Sequence, residues 1–182
     1  MPSNPVRNFL YLLFLGVVLL TIALVVRSGM FARQNPGEPI NAAMREAQQP
    51  GAYRISGADE KLIAEKFPGA QETKTGLRYI VRTPGTGTDT PKYGAAVVVN
   101  YELRLLDGTL LDSSAKRGTP LTVRVGMGRV IKGWDEALLD MKKGERRTLI
   151  VPHWIGYGVV GNPPKIPPYA TLVFDVELLD IR

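Results

Sequence analysis

The chain has 182 residues, 45% of them hydrophobic and 22% charged, with a formal net charge of +6. These values suit one globular domain of ordinary size with appendages. Cysteine is absent, which excludes disulfides, thiol catalysis and cysteine-ligated metals and leaves the redox compartment open. The positive charge is spread out: 8 Lys/Arg face 6 Asp/Glu up to Thr75, and 15 face 11 after it. No long basic run or stacking-aromatic pattern accompanies it, so it reads as a solvated surface, and nucleic acid is not an expected partner.

After a short flank, residues 1–8, the stretch "FLYLLFLGVVLLTIALVV" (Phe9 to Val26) carries no charge. As a helix it would span about 27 Å at ~1.5 Å per residue, close to the ~30 Å hydrocarbon core of a bilayer. It is longer than the usual core of a signal peptide. The residues behind it, Val-Val-Arg-Ser-Gly-Met, offer no A-x-A cleavage pattern. Residues 9–26 are therefore read as a transmembrane helix or uncleaved signal anchor. Arg7 on one side is balanced by Arg27 and Arg33 on the other, so the positive-inside rule does not orient it. Because the bulk of the chain follows the anchor, the expectation is a single-pass protein. Its C-terminal domain is expected on the extracytoplasmic side, which is the periplasm if the source is bacterial.

Residues 27–75 read as a tether with short helices. "RQNPGEPI" and "QQPGAYRISG" are rich in turn formers. Between them "INAAMREAQ" reads as one short helix. "GADEKLIAEKF" reads as another, with Asp59 near its start, Leu62 and Phe67 apolar, and Pro68-Gly69 as its stop. Neither is long enough to hold a core, so both read as solvated spacer. A dimerisation or docking arm is the weaker alternative.

From about Gly76 the pattern changes. "GLRYIVRT" is a first candidate strand. "AVVVNYELRLLDGTLLDSS" alternates at period two, with Val97, Val99, Tyr101, Leu103 and Leu105 on one face and Asn100, Glu102 and Arg104 on the other. Asp107-Gly108 is a hairpin signal. "LTVRV" alternates again, and "RRTLIV" and "TLVFDVELLDI" read as further strands. Only one segment has helical spacing: from Ile131 on, Trp134, Leu138 and Met141 fall at i, i+4 and i+7. Asp135 and Glu136 would sit in its first turn, and Lys142 and Lys143 in its last, with Gly144 as the stop. One helix among antiparallel strands is an α+β arrangement, and the roughly 107 residues of 76–182 suffice for one core. The segment "GYGVVGNPPKIPPYA", 156–170, reads as a shaped and functional loop.

Familiar catalytic signatures are missing. His153 is the only histidine, and no G-x-S-x-G elbow occurs. Beside Trp154 it reads as a strand-end surface residue. "GMGRVIKG" is neither G-x-G-x-x-G nor a phosphate loop. No spacing of acids suggests a metal site, and no cofactor or metal is expected. Asp112-Ser113-Ser114 reads by itself as a turn or cap.

Three stretches, "VVVNYELRLLDGTLLDSSAKRGTP", "GMGRVIKGWDEALLDMKKGE" and "GYGVVGNPPKIPPYATLVFDVELL", occur in an order and spacing that resembles the FKBP-type peptidyl-prolyl cis-trans isomerase family. The resemblance covers residues 76–182 and not the anchor or tether. It implies a bent antiparallel five-stranded sheet wrapped around one short helix, with an apolar pocket between them. By the same resemblance, Tyr101 is a pocket-wall tyrosine and Asp112 the aspartate at the pocket's edge. Trp134 would be the pocket floor, and the Tyr157 hydroxyl would donate to a ligand carbonyl. The backbone of Val130 and Ile131 would meet the ligand, and Ile166 and Phe174 would be apolar walls. Leu111 and Leu121 stand where the family often has phenylalanine. Asn162 and Lys165 stand where it often has histidine and isoleucine. Leu111, Leu121, Val130, Ile131, Ile166 and Phe174 form the implied substrate-binding set, beside Asp112, Tyr157, Trp134 and Tyr101 as the implied catalytic set.

The implied function is isomerisation of X-Pro bonds in proline-containing polypeptides, assisting protein folding at a membrane, with a macrolide as a further candidate ligand. The alternative is a catalytically weak proline-binding module, its wall thinned by two leucines, acting as a membrane-tethered holdase or assembly factor. In a third and weaker reading, the tether carries the main role.

Overall fold

The computed structural model describes residues 53–182. The anchor reading at 9–26 and the short helix expected at "INAAMREAQ" lie outside the described residues. Among the described residues no helix is long and apolar enough to cross a membrane.

The described chain is α+β. A helix α1 (Gly57–Lys66) comes first, followed by strands β1 (Gln71–Glu72), β2 (Arg78–Thr83), β3 (Ala96–Leu105) and β4 (Leu110–Ser113). A one-turn helix α2 (Ser114–Arg117), strand β5 (Leu121–Arg124) and helix α3 (Lys132–Asp140) follow. Strand β6 (Arg146–Val151), a 3-10 turn (His153–Ile155) and strand β7 (Leu172–Ile181) complete the order. The strands form one antiparallel sheet in the order β1-β2-β6-β7-β3-β4, with β5 also on β3. The sheet has seven strands rather than the five read from sequence. Two-residue β1 is too short to show a period, and β4 is hidden in the same alternating run as β3. β3 is ten residues long, so one flank pairs with β7 throughout. The other flank takes β5 against residues 96–99 and then β4 against 102–104. The Asp107-Gly108 turn closes the β3–β4 hairpin, with Gly108 N–H donating to Leu105 O at 2.9 Å.

The inner face of the sheet carries the alternating set. Val97, Val99, Tyr101 and Leu103 of β3 join Leu149 and Val151 of β6 and Leu172, Phe174, Val176 and Leu178 of β7. Against them α3 presses Trp134, Ala137 and Leu138, with Met141 just behind. Gly133 allows this approach, since a Cβ there would lie 2.9 Å from Val151 Cγ1. α3 ends at Asp140, earlier than expected, so Lys142 and Lys143 lie beyond it. The cation at its C-terminus is instead the buried Arg147 of β6, which binds Asp140 Oδ2 at 2.9 Å and Asp140 O at 3.3 Å and pairs with Glu145.

The stretch read as solvated spacer behaves differently within the described residues. α1 is capped by Ser56, whose hydroxyl accepts from Asp59 N–H at 3.0 Å. Its Ile63 is buried on the outer face of the sheet with Leu106, Ile150 and Val173. Polar contacts hold it there as well. Glu60 accepts from both terminal guanidinium nitrogens of Arg78 at 2.7 and 3.0 Å. Thr171 donates to Asp59 at 3.1 Å, and Lys66 to Leu106 O at 2.7 Å. Ile150 and Val173 are the outward residues of central strands, an apolar patch that a period-two reading assigns to solvent; α1 exists to cover it.

Candidate functional site

The site is assembled at one end of the inner face. Trp134 is only 4% exposed and meets the ring edges of Tyr101 (5.4 Å, 79°) and Phe174 (5.3 Å, 70°). Edge-to-face contacts of this kind add roughly 0.5–1.5 kcal/mol each beyond burial. The Trp134 indole N–H is buried without a hydrogen-bond partner among the described residues. An orphan donor is costly in a core. Ile166 is buried in the same cluster, and Leu111, Leu121, Val130 and Ile131 are half-buried against it. The apolar set expected from sequence therefore lies within or against the main core cluster. β4 brings Leu111, β5 brings Leu121, the β5–α3 loop brings Val130 and Ile131, and the long loop brings Ile166.

Two loops are held by specific chemistry. Asp135, in the first turn of α3, sends its two carboxylate oxygens to Gly126 N–H and Gly128 N–H, each at 2.9 Å. The acid expected to answer the helix dipole thus also pins the loop that carries Val130 and Ile131. In the long loop Asn162 and Ile166 bond each other's backbone at 2.9 and 3.0 Å, and Gly161 turns the chain at φ 72°. A Cβ on Gly161 would lie 2.4 Å from both Ile166 O and Pro167 O. His153, expected on the surface, is buried between the edges of Trp154 (5.1 Å) and Tyr169 (5.2 Å). Its carbonyl accepts from Gly156 and Gly158 at 3.0 and 2.8 Å. The turn after β6 folds the loop base back over the ring, which a strand-end reading does not foresee.

The rim is polar. Asp112, at the end of β4, accepts from the Tyr101 hydroxyl at 2.7 Å and from Ser113 N–H at 2.9 Å, and pairs with Arg117. Ser113 caps α2 by accepting from Lys116 N–H at 3.1 Å. The cap reading of "DSS" holds at Ser113, directly beside Asp112. Arg117 was not singled out from sequence. Its signal was its place one turn past a Ser cap, five residues beyond the acid. Its guanidinium also lies 5.9 Å from the Tyr101 ring centroid.

The electrostatics follow from this geometry. The Arg117 guanidinium, assisted by the Tyr101 hydroxyl and Ser113 N–H, holds the Asp112 carboxyl down at about 2. Burial and the neighbouring Asp112 push the Tyr101 phenol up to about 12. Burial also raises the Tyr157 phenol; Asp112 adds to that shift and Arg117 opposes it. Tyr157 is 37% exposed and faces the same charge pair from the opposite loop. The result is an apolar aromatic corner with an ionised aspartate and two protonated phenols near it. It holds no nucleophile–base pair, and among the described residues no cluster of three His, Asp or Glu could hold a metal ion.

Residues 87–179 match the sequence profile of the FKBP-type peptidyl-prolyl cis-trans isomerases. The chain belongs to this family. It is 46% identical over 107 residues to FK506-binding protein 1A of Aspergillus fumigatus, covering 59% of this chain and 96% of that one. It is 46% identical over 123 residues to the FKBP-type isomerase FkpA of Escherichia coli K12, covering 68% of this chain and 43% of that one. Among solved structures, the crystal structure of AtFKBP13 superposes with a TM-score of 0.59 at 35% identity, covering 62% of this chain and 98% of that one. The protein is an FKBP-type peptidyl-prolyl cis-trans isomerase with the family's antiparallel sheet and short helix.

Proposed function

We propose that this isomerase binds X-Pro segments of polypeptides in the cleft over Trp134 and works from a membrane through residues 9–26. The observation that supports the cleft is the aromatic corner of Tyr101, Trp134 and Phe174 beneath a rim aspartate fixed by Arg117. The X-Pro bond turns over a barrier of about 18–20 kcal/mol that comes from partial double-bond character. Uncatalysed exchange takes tens to hundreds of seconds. No covalent bond needs to form, so the catalyst has only to favour the twisted imide over the planar one. Trp134, Phe174, Ile166, Val130, Leu111 and Leu121 supply a dry wall. There the carbonyl oxygen loses the water that supports the charge-separated planar form.

In this reading the Tyr157 hydroxyl and Ile131 N–H hold the flanking backbone, and Asp112 acts through its field. The Tyr101 hydroxyl is committed to Asp112 and keeps its carboxylate aimed at the rim. Lys165 places a cation on the long loop and tilts preference toward clients with an acidic residue near the proline. Binding of an FK506-type macrolide is part of the same proposal, since a relative bears that name.

The test is NMR exchange of a Leu-Pro peptide with the full chain in detergent, beside Trp134→Leu. Acceleration that drops in the variant supports the cleft. Peptide binding without acceleration means that the site holds proline without twisting the bond. Fractionation of the full chain against a deletion of residues 9–26 tests the anchor: release of the deletion variant from membranes supports it, and equal partition refutes it.

A further inference from the structure

A second groove of about 710 Å³ lies beside the cleft. That volume is in the range of ligand-binding clefts. Its walls are the segment before α1, the β1–β2 turn, the first residue of α3 and the 3-10 turn. Trp154 forms its aromatic side. The indole N–H donates to Thr75 O at 2.8 Å, and Tyr53, 64% exposed, meets the ring edge-on at 6.1 Å.

The charges in the groove are unbalanced. Arg54, Lys74, Lys132 and Arg78 line it against Glu60 and Glu72. Both acids are already engaged by Arg78, at 2.7 and 3.0 Å. Among the described residues no ion pair joins Arg54, Lys74 or Lys132 to a carboxylate. The groove therefore offers three uncommitted cations around an exposed aromatic edge. Along the chain it comes close to the cleft residues: Lys132 directly follows Ile131, and Ile155 precedes Tyr157 by two residues, at most ~7 Å of chain.

We infer that this groove is a second client subsite, which takes an acidic stretch of the same polypeptide whose proline occupies the cleft. The inference rests on the isomerase cleft described above. Concavity and the short chain distance to Ile131 and Tyr157 favour an extended chain over a flat anionic surface. Three surface-type ion pairs, each modest, together raise affinity about tenfold at low ionic strength, and salt removes most of this.

The experiment uses the full chain in neutral detergent and three peptides. One is a short Leu-Pro core; the others extend that core on each side with four glutamates or with four lysines. kcat/KM is read by NMR exchange and Kd by intrinsic tryptophan fluorescence, for the wild type and for the double variant Arg54→Glu, Lys74→Glu. The expected result is a roughly tenfold lower Kd and higher kcat/KM for the glutamate peptide than for the lysine peptide. That preference is abolished in the double variant and at 0.5 M salt, while turnover of the short core is unchanged. Equal values for the two extended peptides overturn the inference, as does a preference that survives charge reversal. Charge-dependent binding of the wild type to phosphatidylserine vesicles, with no difference between the peptides, also overturns it in favour of a lipid surface. If the short core is not isomerised, the cleft reading fails, and the groove is then judged by Kd alone.

Discussion

Replacing Asp112 with asparagine removes a charge while nearly keeping the shape. In the fold the carboxylate collects the Tyr101 hydroxyl at 2.7 Å, Ser113 N–H at 2.9 Å and the Arg117 guanidinium. A hydrogen bond to a charged acceptor is worth roughly 1 kcal/mol more than to a neutral one. The first two bonds each lose about that much. The Arg117 pair adds little, because that side chain is 54% exposed. The expected cost is about 1–2 kcal/mol, a fall in Tm of roughly 3–8 °C for a domain of this size. If Asp112 acts by its field, kcat/KM falls about tenfold, which corresponds to ~1.4 kcal/mol of barrier.

The pH dependence decides between field and proton transfer. The folded pKa of Asp112, about 2, is depressed below its ordinary value of 3.8. Its contribution to stability is therefore present above pH ~4 and lost as pH falls toward 2. Tyr101 is raised to about 12, so its contribution is present below pH 10 and lost only as pH rises through 12. Wild-type turnover should be flat between about pH 5 and 9. The asparagine variant should be lower by a constant factor over that range. The assay is peptide exchange by NMR from pH 3 to 9, with thermal unfolding followed by circular dichroism. A bell-shaped profile centred near neutrality in the wild type would refute the field argument. So would an asparagine variant with wild-type turnover.

Three further outcomes are expected. Tyr157→Phe should lower kcat/KM about three- to tenfold with Tm nearly unchanged, because the hydroxyl lost is on a 37% exposed residue; a large fall in Tm would instead make this tyrosine structural. Ile63→Ala should cost about 2–4 kcal/mol in urea unfolding, since the side chain is 3% exposed between α1 and the outer sheet face. A change below about 0.5 kcal/mol would show that α1 does not stay docked. Gly161→Ala should disrupt the Asn162–Ile166 turn and lower kcat/KM at least tenfold, because it combines φ 72° with contacts of 2.4 Å to two carbonyl oxygens. Retained activity with unchanged amide shifts across 157–167 would show that the loop does not form part of the site.

Much of this molecule was legible from local pattern. The alternation of Val97, Val99, Tyr101 and Leu103 belongs to a strand with one buried face, and the spacing of Trp134, Leu138 and Met141 to a helix that meets it. Period alone sorts these side chains, because each face has one solvent. The resemblance in three motifs implies a shared location for Leu111, Leu121, Val130, Ile131, Ile166 and Phe174, and all lie in or against the main core cluster.

What sequence did not determine depended on partners distant along the chain. α1 has no clean apolar stripe, so its docking follows from an outer patch, Ile150 and Val173, that only the assembled sheet creates. Arg147, rather than Lys142 or Lys143, closes α3, because the register of β6 sets it under the helix end. His153 is covered because the long loop returns over it. The state of Asp112 depends on Arg117, brought back by a single turn of α2. Sequence determined which faces turn inward, since burial selects residue type one position at a time. Tertiary structure decided which charges meet, since an ion pair needs two chain segments at one point and neither segment encodes that alone.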